Sequence, residues 1–258
     1  MNQAVLLEIR DGVAVVTLNQ PESANALGMA MGRDLLAVAL RVEGNPAVRA
    51  VVVTGSGRHF CFGGDLNGMA AQGDALGGYL NELTTHIHSA ITCFTRMRAP
   101  VIAAVNGTAA GGGVGLVCMA DLAIAGRGSR FRLAYTGVGL APDCATSFLL
   151  PRIVGRRRAL ELFLTNRVLG ADEALGWGLV NQVVDDAEVL PQALALAATF
   201  AAGPTESYAT VKRLMDAAEP GLDSQMALEG RTMAAQCRHP HGREGVAAFL
   251  AKRRPNYD

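Results

Sequence analysis

The chain has 258 residues, half of which are apolar, and its 23 basic residues equal its 23 acidic ones, so the formal net charge is zero. This length suits one large domain or two small ones, and the apolar half is ample material for a core. A chain without excess positive charge lacks the electropositive face that phosphate backbones require, which argues against nucleic acid as the main partner.

The first half of the sequence alternates strands and helices. An Asp11-Gly12 hairpin signal separates two strands at 5–9 and 13–18. Apolar residues at helical spacing then predict helices at 29–42 and 78–97. Further strands are predicted at 50–54, 101–105 and 121–125, and a further helix at 111–119. Strands that alternate with helices indicate the α/β class.

The second half of the sequence is mostly helical from residue 143 onward, and only residues 179–184 resemble a strand. Helices are predicted at 143–153, 156–164, 171–177, 191–202, 205–218, 224–237 and 242–252. We therefore divide the chain into an α/β core at 1–203 and a helical C-terminal region at 204–258.

Two glycine-rich turns each follow an apolar strand. The turn at 55–66 contains Gly63-Gly64-Asp65, and the turn at 106–115 contains Gly111-Gly112-Gly113. Such turns leave backbone N–H groups bare, and two of them aimed at one ligand oxygen would form an oxyanion hole. That arrangement indicates carbonyl chemistry through an enolate or a tetrahedral oxyanion. Plain strand-to-helix turns are the alternative, and neither turn fits a nucleotide-binding fingerprint.

The sequence shows no metal-ligand pattern. Its five cysteines are scattered, without a C-x-x-C pair, which is typical of a reduced cytosolic protein. His86 and His88 are two residues apart, so they do not share a helix face and do not predict a metal site. No signal peptide is visible, and the apolar runs are shorter than the roughly 20 residues that a membrane span requires. We therefore expect a cytoplasmic protein with no membrane partner.

Several motifs together resemble the enoyl-CoA hydratase/isomerase (crotonase) superfamily. The matching segments are 13–21, 25–27, 58–66, 100–113, 131–155, 174–181 and 244–253. The resemblance covers nearly the whole chain. It implies a crotonase-like spiral of β-β-α units whose last helices build a trimer, or a hexamer made of two trimers. It also implies an acyl-CoA thioester as substrate, with coenzyme A as part of that substrate and no separate cofactor.

The resemblance assigns the oxyanion-hole amides to Gly64 and Gly112. The two glutamates that hydratases of the family use fall at Gly115 and Tyr135, so both carboxylates are missing here. Water addition needs one group to deprotonate water and another to protonate the α-carbon. The sequence therefore argues against ordinary hydratase activity.

Asp143 follows Pro142, where several isomerases and the aryl-CoA dehalogenases of the family also have an aspartate. One carboxylate can take a proton from one carbon and return it to another, which is enough for a double-bond shift. The alternative is that Asp143 is only the N-cap of the next predicted helix. With the resemblance we favour the catalytic role, in an isomerase-type proton shift. A hydratase with atypical groups, a dehalogenase-like or hydrolase-like enzyme and a non-catalytic acyl-CoA binder remain open.

The resemblance also assigns residues that contact the substrate. They are Ser23, Ala24, Leu66, His88, Tyr135, Phe249 and Lys252. The first two lie in a loop against which coenzyme A is expected, although Glu22 stands where the family often has Lys or Arg. The last two match positions that reach the coenzyme A of a neighbouring subunit, and a terminal amphipathic helix explains them almost as well.

Overall fold

The computed structural model describes residues 3–217 and 221–257. Its strands are β1 (Val5–Arg10), β2 (Val13–Leu18), β3 (Ala50–Gly55), β4 (His59–Cys61), β5 (Val101–Val105), β6 (Thr108–Ala110), β7 (Leu122–Gly126), β8 (Arg130–Arg132), β9 (Leu169–Gly170) and β10 (Gln182–Val184). Its helices are α1 (Met29–Glu43), α2 (Leu66–Ala70), α3 (Leu76–Arg96), α4 (Gly112–Cys118), α5 (Thr146–Val154), α6 (Arg156–Thr165), α7 (Ala171–Trp177), α8 (Val189–Ala201), α9 (Thr205–Asp216), α10 (Leu222–Gln236) and α11 (Pro240–Leu250). Among the described residues, no helix is long and apolar enough to cross a membrane.

Six strands form the larger sheet, in the order β1-β2-β3-β5-β7-β10. The β1–β2 pair is the antiparallel hairpin predicted at Asp11-Gly12, and the other neighbours are parallel. Every residue of β3 and β5 is buried, as expected for parallel strands that are covered on both faces.

Alternate residues of these strands belong to two different cores, because side chains alternate between the faces of a sheet. Val51 and Val53 point into the main core with α1 and α3. Ala50 and Val52 belong instead to a second core that packs under the alanine-rich face of α8. The sheet is therefore sandwiched between helices, which fixes the carboxyl ends of β3 and β5.

A smaller sheet of short strands, in the order β4-β6-β8-β9, lies beyond these carboxyl ends. In three successive units a long strand is followed by a short one and then by helix, namely β3-β4, β5-β6 and β7-β8. The expected spiral of β-β-α units is thus confirmed. The interpretation of 55–66 and 106–115 as turns alone was incomplete, because β4 and β6 lie within them. The second half likewise contains a strand that was not predicted, β9, in addition to the predicted strand at 179–184, of which the structure shows β10.

The C-terminal helices follow the predicted pattern, with the last described residue of α9 at Asp216. Residue 218, where the sequence placed the end of this helix, lies outside the described residues. Arg49 ties this region to the core, because its Nη2 donates to the carbonyl oxygens of Gly203 at 2.8 Å and Tyr257 at 2.9 Å. The division into 1–203 and 204–258 stays a prediction.

Candidate active site

An apolar cavity of about 380 Å³ opens beside the two glycine turns. Its apolar walls come from Phe62, Leu66, Met69, Leu80, Leu133, Val138 and Leu140. A hollow of about 20 Å³ adjoins it and shares Gly64, Met69 and Asp143 with it, while Gly112 and Cys144 line the hollow alone. The two turns that the sequence singled out are therefore brought to one place.

The backbone at Gly64 and Gly112 carries two unused donors. Among the described residues, neither the Gly64 N–H nor the Gly112 N–H has a hydrogen-bond acceptor. The turn at Gly64 is held in place by Leu27, whose N–H donates to Gly63 O at 2.7 Å and whose carbonyl accepts from Asp65 N at 3.3 Å. Free amides on two rigid turns around one hollow have the chemistry that a developing oxyanion needs.

The space around these two amides is filled closely. A Cβ atom built on Gly112 would lie 2.7 Å from Cys144 Sγ, and one built on Gly64 would lie 2.6 Å from Met69 Cε. Any side chain at either position would therefore compete with atoms that form the hollow. At Gly112 this close approach favours glycine, since Leu27 Cδ1 would also lie 2.7 Å from the added atom, whereas at Gly64 the flexible end of Met69 could move aside.

Asp143 and Tyr135 form a bonded pair in the cavity wall. The Tyr135 hydroxyl donates to Asp143 Oδ1 at 2.7 Å. Burial raises the pKa of Tyr135, and the neighbouring Cys144 and Asp143 raise it further. The phenol therefore stays protonated at neutral pH, and it remains a donor to the carboxylate.

The N-cap interpretation of Asp143 is wrong. Helix α5 begins at Thr146 rather than at residue 143, and the residue before it, Ala145, makes no side-chain cap. The Asp143 side chain instead points to Tyr135, while its backbone carbonyl accepts from Thr146 N at 3.0 Å and Thr146 Oγ1 at 2.7 Å. The carboxylate thus accepts no hydrogen bond from the first turn of α5.

The later start of α5 has a backbone cause. Cys144 and Ala145 both adopt positive φ angles, 50° and 59°. A left-handed conformation costs an L residue roughly 1–2 kcal/mol, so two in succession persist only where neighbours hold them. One such neighbour is His88, whose Nε2 accepts from Cys144 N at 3.2 Å.

His88, which the resemblance assigns to substrate contact, lines neither the cavity nor the hollow, and its contact with substrate stays a prediction. It is exposed one turn beyond Thr84 on α3, and Cys144 stands between it and the hollow. The ligand-type atoms of His88, Asp143 and Cys144 nevertheless all lie within 4.8 Å of one another. Burial raises the pKa of the Cys144 thiol well above its usual range, and Asp143 adds to this. The expectation of no metal site is left as a prediction.

Gly115 is buried in α4 directly beneath this segment. A Cβ atom at Gly115 would overlap the Cys144 carbonyl oxygen and would lie 2.7 Å from Cys144 Cβ. Position 115 therefore has no room for a side chain unless the segment at 143–145 moves.

The loop with Ser23 and Ala24 is anchored by a residue whose role the sequence analysis missed. Asn25 is fully buried, with Nδ2 donating to the carbonyls of Ser56 and His59 and Oδ1 accepting from Gln20 N at 2.9 Å. Ala24 O accepts from Phe62 N at 3.0 Å, which sets the loop beside the cavity rim. A polar residue between apolar neighbours was the available signal.

The remaining predicted contacts are distributed unevenly. Leu66 and Tyr135 line the cavity, as expected for substrate contacts. Phe249 and Lys252 are exposed at the end of α11 and do not line the cavity of their own chain. Their proposed reach into a neighbouring subunit stays a prediction.

Comparisons with known proteins agree on one family. The model of the enoyl-CoA hydratase/isomerase family matches residues 8–258. The chain is 42% identical over 252 residues to a protein of Rhodobacter capsulatus named "probable enoyl-CoA hydratase", covering 97% of this chain and 96% of that protein. It is 37% identical over 266 residues to the 1,2-epoxyphenylacetyl-CoA isomerase of Escherichia coli, covering 100% and 99%. The crystal structure of an enoyl-CoA hydratase of Mycobacterium smegmatis superposes with a TM-score of 0.92 at 37% identity, over 99% of each chain.

Proposed function

Since the chain belongs to the enoyl-CoA hydratase/isomerase family, we propose that it catalyses an isomerase-type proton shift on an acyl-CoA thioester. At the coarser level it is an acyl-CoA enzyme of the hydratase/isomerase type. One observation carries the finer proposal. Among the described residues that line the cavity and the hollow, Asp143 is the only one with a carboxylate.

The proposed chemistry begins at the thioester oxygen. The amides of Gly64 and Gly112 bind this oxygen and stabilise it as the α-carbon loses its proton and an enolate forms. Removing one donor of such a pair costs about 3–4 kcal/mol in the barrier. No side-chain acid is needed for this step, because two backbone N–H groups supply the hydrogen bonds.

Asp143 then moves the proton. The Tyr135 hydroxyl occupies Oδ1, so Oδ2 is the oxygen that accepts the proton from one carbon and returns it to another. The proton that Asp143 takes up comes from the substrate, so the carboxyl group becomes neutral as the enolate becomes negative. The site therefore carries one negative charge throughout. A single carboxylate therefore completes the cycle.

The composition of the cavity wall favours this reaction over hydration. Water addition needs one group to deprotonate water and another to protonate the α-carbon, whereas the wall around Asp143 is mostly apolar. Apolar walls suit an alkyl or aryl acyl group and exclude water from the enolate.

Coenzyme A is proposed as the carrier of the acyl group, with no separate cofactor. Its expected place is the loop with Ser23 and Ala24, which Asn25 fixes at the cavity rim. Glu22 is exposed on this loop and cannot pair with a pyrophosphate, so other groups must meet that charge. All five cysteines are free thiols, which supports the expected cytoplasmic location.

The test of this proposal follows two reactions in one mixture. The protein is incubated in deuterated water with a panel of short enoyl-CoA and aryl-acyl-CoA thioesters, beside an ordinary hydratase as control. We expect deuterium at the α- or γ-carbon of at least one thioester. Water addition should be at least about a thousandfold slower than with the control, because both glutamates are absent. Hydration at the control's rate, or no deuterium uptake from the whole panel, would reject the proposal.

A trimer or hexamer is proposed as the working assembly. None of the fifteen residues of α10 is buried, although the helix carries Leu222, Met226 and Met233, which are 73%, 51% and 65% exposed. Phe249 and Leu250 on α11 are 83% and 75% exposed. A helix without a buried face is not stable alone, and exposed apolar residues at this density mark an interface.

Sedimentation velocity should therefore give a trimer or hexamer of 26.9 kDa chains at micromolar concentration. Met226→Lys together with Met233→Lys should shift the distribution toward monomer, whereas Leu40→Lys, an exposed apolar residue on α1, should not. A wild-type monomer would contradict the assembly and would remove the case for Phe249 and Lys252 at a neighbour's site.

A further inference from the structure

His88 is an exposed histidine that bonds to the backbone next to Asp143. Its Nε2 accepts from Cys144 N at 3.2 Å, so this nitrogen carries no proton. The imidazole must therefore be neutral with its proton on Nδ1 whenever the bond is made. The outer side of His88 faces a groove that it shares with Glu43, Cys93 and Arg96.

The peptide unit that joins Asp143 to Cys144 is held at both ends. Its carbonyl oxygen accepts from the backbone and hydroxyl of Thr146, at 3.0 and 2.7 Å. Its N–H donates to His88. No other acceptor receives this N–H among the described residues.

The orientation of this peptide unit is the less favourable of two. Cys144 has a φ of 50°, and turning the peptide unit by half a turn would return Cys144 to a negative φ. That turn would point the N–H away from His88 and the carbonyl away from Thr146. It would also move the Asp143 carbonyl away from the Tyr135 hydroxyl, which donates to this carbonyl at 3.4 Å and to Asp143 Oδ1 at 2.7 Å, so the hydrogen bond that orients the carboxylate would be disturbed. The hydrogen bond to His88, together with the two from Thr146, therefore holds the strained orientation.

We propose that His88 is a positioning residue that keeps the Asp143 carboxylate aimed into the cavity by accepting the Cys144 N–H. This inference rests on the proposed function, because it assigns His88 a role only through Asp143. His88 itself does not line the cavity or the hollow.

The same bond makes the position of Asp143 sensitive to acid. A proton on Nε2 would remove the acceptor and turn His88 into a donor facing another donor. The groups that face His88 are the Asp143 carboxylate and the Cys144 thiol on the inner side. On the outer side they are Glu43 on α1, and Cys93 and Arg96 on α3. Loss of this acceptor should thus lower the activity by displacing Asp143.

The test compares His88→Leu with His88→Gln. A glutamine can present its Oε1 where Nε2 lies and cannot take up a proton in this range, whereas leucine offers no acceptor. We expect His88→Leu to slow deuterium uptake about tenfold or more, since small misplacements of a reacting group are costly, while acyl-CoA affinity stays within about threefold. His88→Gln should stay within about threefold of the wild type in uptake, and its acid loss should start at lower pH than in the wild type.

Hydrogen–deuterium exchange of the backbone gives a reading that does not need activity. The peptide over residues 141–149 should be protected in the wild type and in His88→Gln, and should exchange faster in His88→Leu. This comparison still decides the proposal if no thioester on the panel is turned over, so it separates a failure here from a failure of the proposed function.

Three results would overturn the proposal. The first is a His88→Leu protein that equals the wild type in uptake and in backbone protection. The second is a His88→Gln protein as slow as His88→Leu, because the imidazole would then have a role that an acceptor cannot fill. If His88→Leu does not fold, the wild type and His88→Gln are compared across pH instead. Identical losses of activity in acid are then the third result that would reject the role.

Discussion

Asp143→Asn is expected to abolish the exchange of substrate α- and γ-protons with deuterated water while acyl-CoA binding and the fold persist. An amide cannot accept the proton, and loss of a positioned acid–base group typically costs about 10²–10⁴-fold in rate. The asparagine Oδ1 can still accept from the Tyr135 hydroxyl, so the local geometry is kept. Uptake should be followed by mass spectrometry, with affinity and melting temperature measured on the same preparation.

Asp65→Asn is the matched control for this variant. Asp65 also lies at the edge of the site, but its Oδ1 accepts from Gly68 N at 3.0 Å as the N-cap of α2. Asparagine caps nearly as well as aspartate, so uptake, affinity and melting temperature should all stay near the wild type. Normal uptake by Asp143→Asn, with an unchanged melting temperature, would eliminate Asp143 as the group that moves the proton.

Gly115→Ala is expected to lower the free energy of unfolding by about 3 kcal/mol, the upper end of what overpacking usually costs. The added methyl group would overlap the Cys144 carbonyl oxygen, and this segment cannot retreat because Thr146 and His88 hold it from two sides. Urea unfolding followed by circular dichroism measures the change.

Gly176→Ala serves as the comparison for Gly115→Ala, because both glycines lie inside helices. A Cβ atom at Gly176 would meet nothing within 4 Å, and the residue is exposed in α7. This variant should be neutral or gain up to about 1 kcal/mol from the better helix propensity of alanine. Equal effects of the two substitutions would mean that the segment at 143–145 yields to the methyl group.

The absence of a side chain at position 115, where the resemblance implies a hydratase glutamate, and the strained segment at 143–145 are therefore parts of one packing arrangement. Cys144 occupies the volume into which a side chain at position 115 would project. Gly115→Glu alone would accordingly not install a hydratase glutamate. Position 135 is different, because Tyr135 already reaches the cavity.

The sequence predicted the long elements well because their patterns extend over several periods. The strand at 13–18 and the helix at 171–177 agree with the structure at both ends. The short strands β4, β6 and β8 were missed, since three residues carry no measurable period and these strands exist only by pairing with one another. The start of α5 was placed three residues early because the positive φ angles of Cys144 and Ala145 leave no mark in their side-chain types.

In the candidate site, too, the features that follow from strand order could be predicted, and those that depend on distant residues could not. The meeting of Gly64 and Gly112 could be predicted, because parallel neighbouring strands bring their carboxyl ends together. The position of His88 could not, since helical spacing fixes its face on α3 but not the backbone that passes in front of it. Asn25 was overlooked for a similar reason, because its bonds join residues 31 and 34 positions away in the sequence.

The two carbonyl oxygens that accept hydrogen bonds from Arg49 belong to residues that the ribosome synthesises much later than Arg49. Gly203 is made 154 residues after Arg49, and Tyr257 is made 208 residues after it. While the chain is being extended, the β3 end of the sheet carries a cation whose final partners do not yet exist. The native arrangement around Arg49 is accordingly among the last parts of the molecule to form.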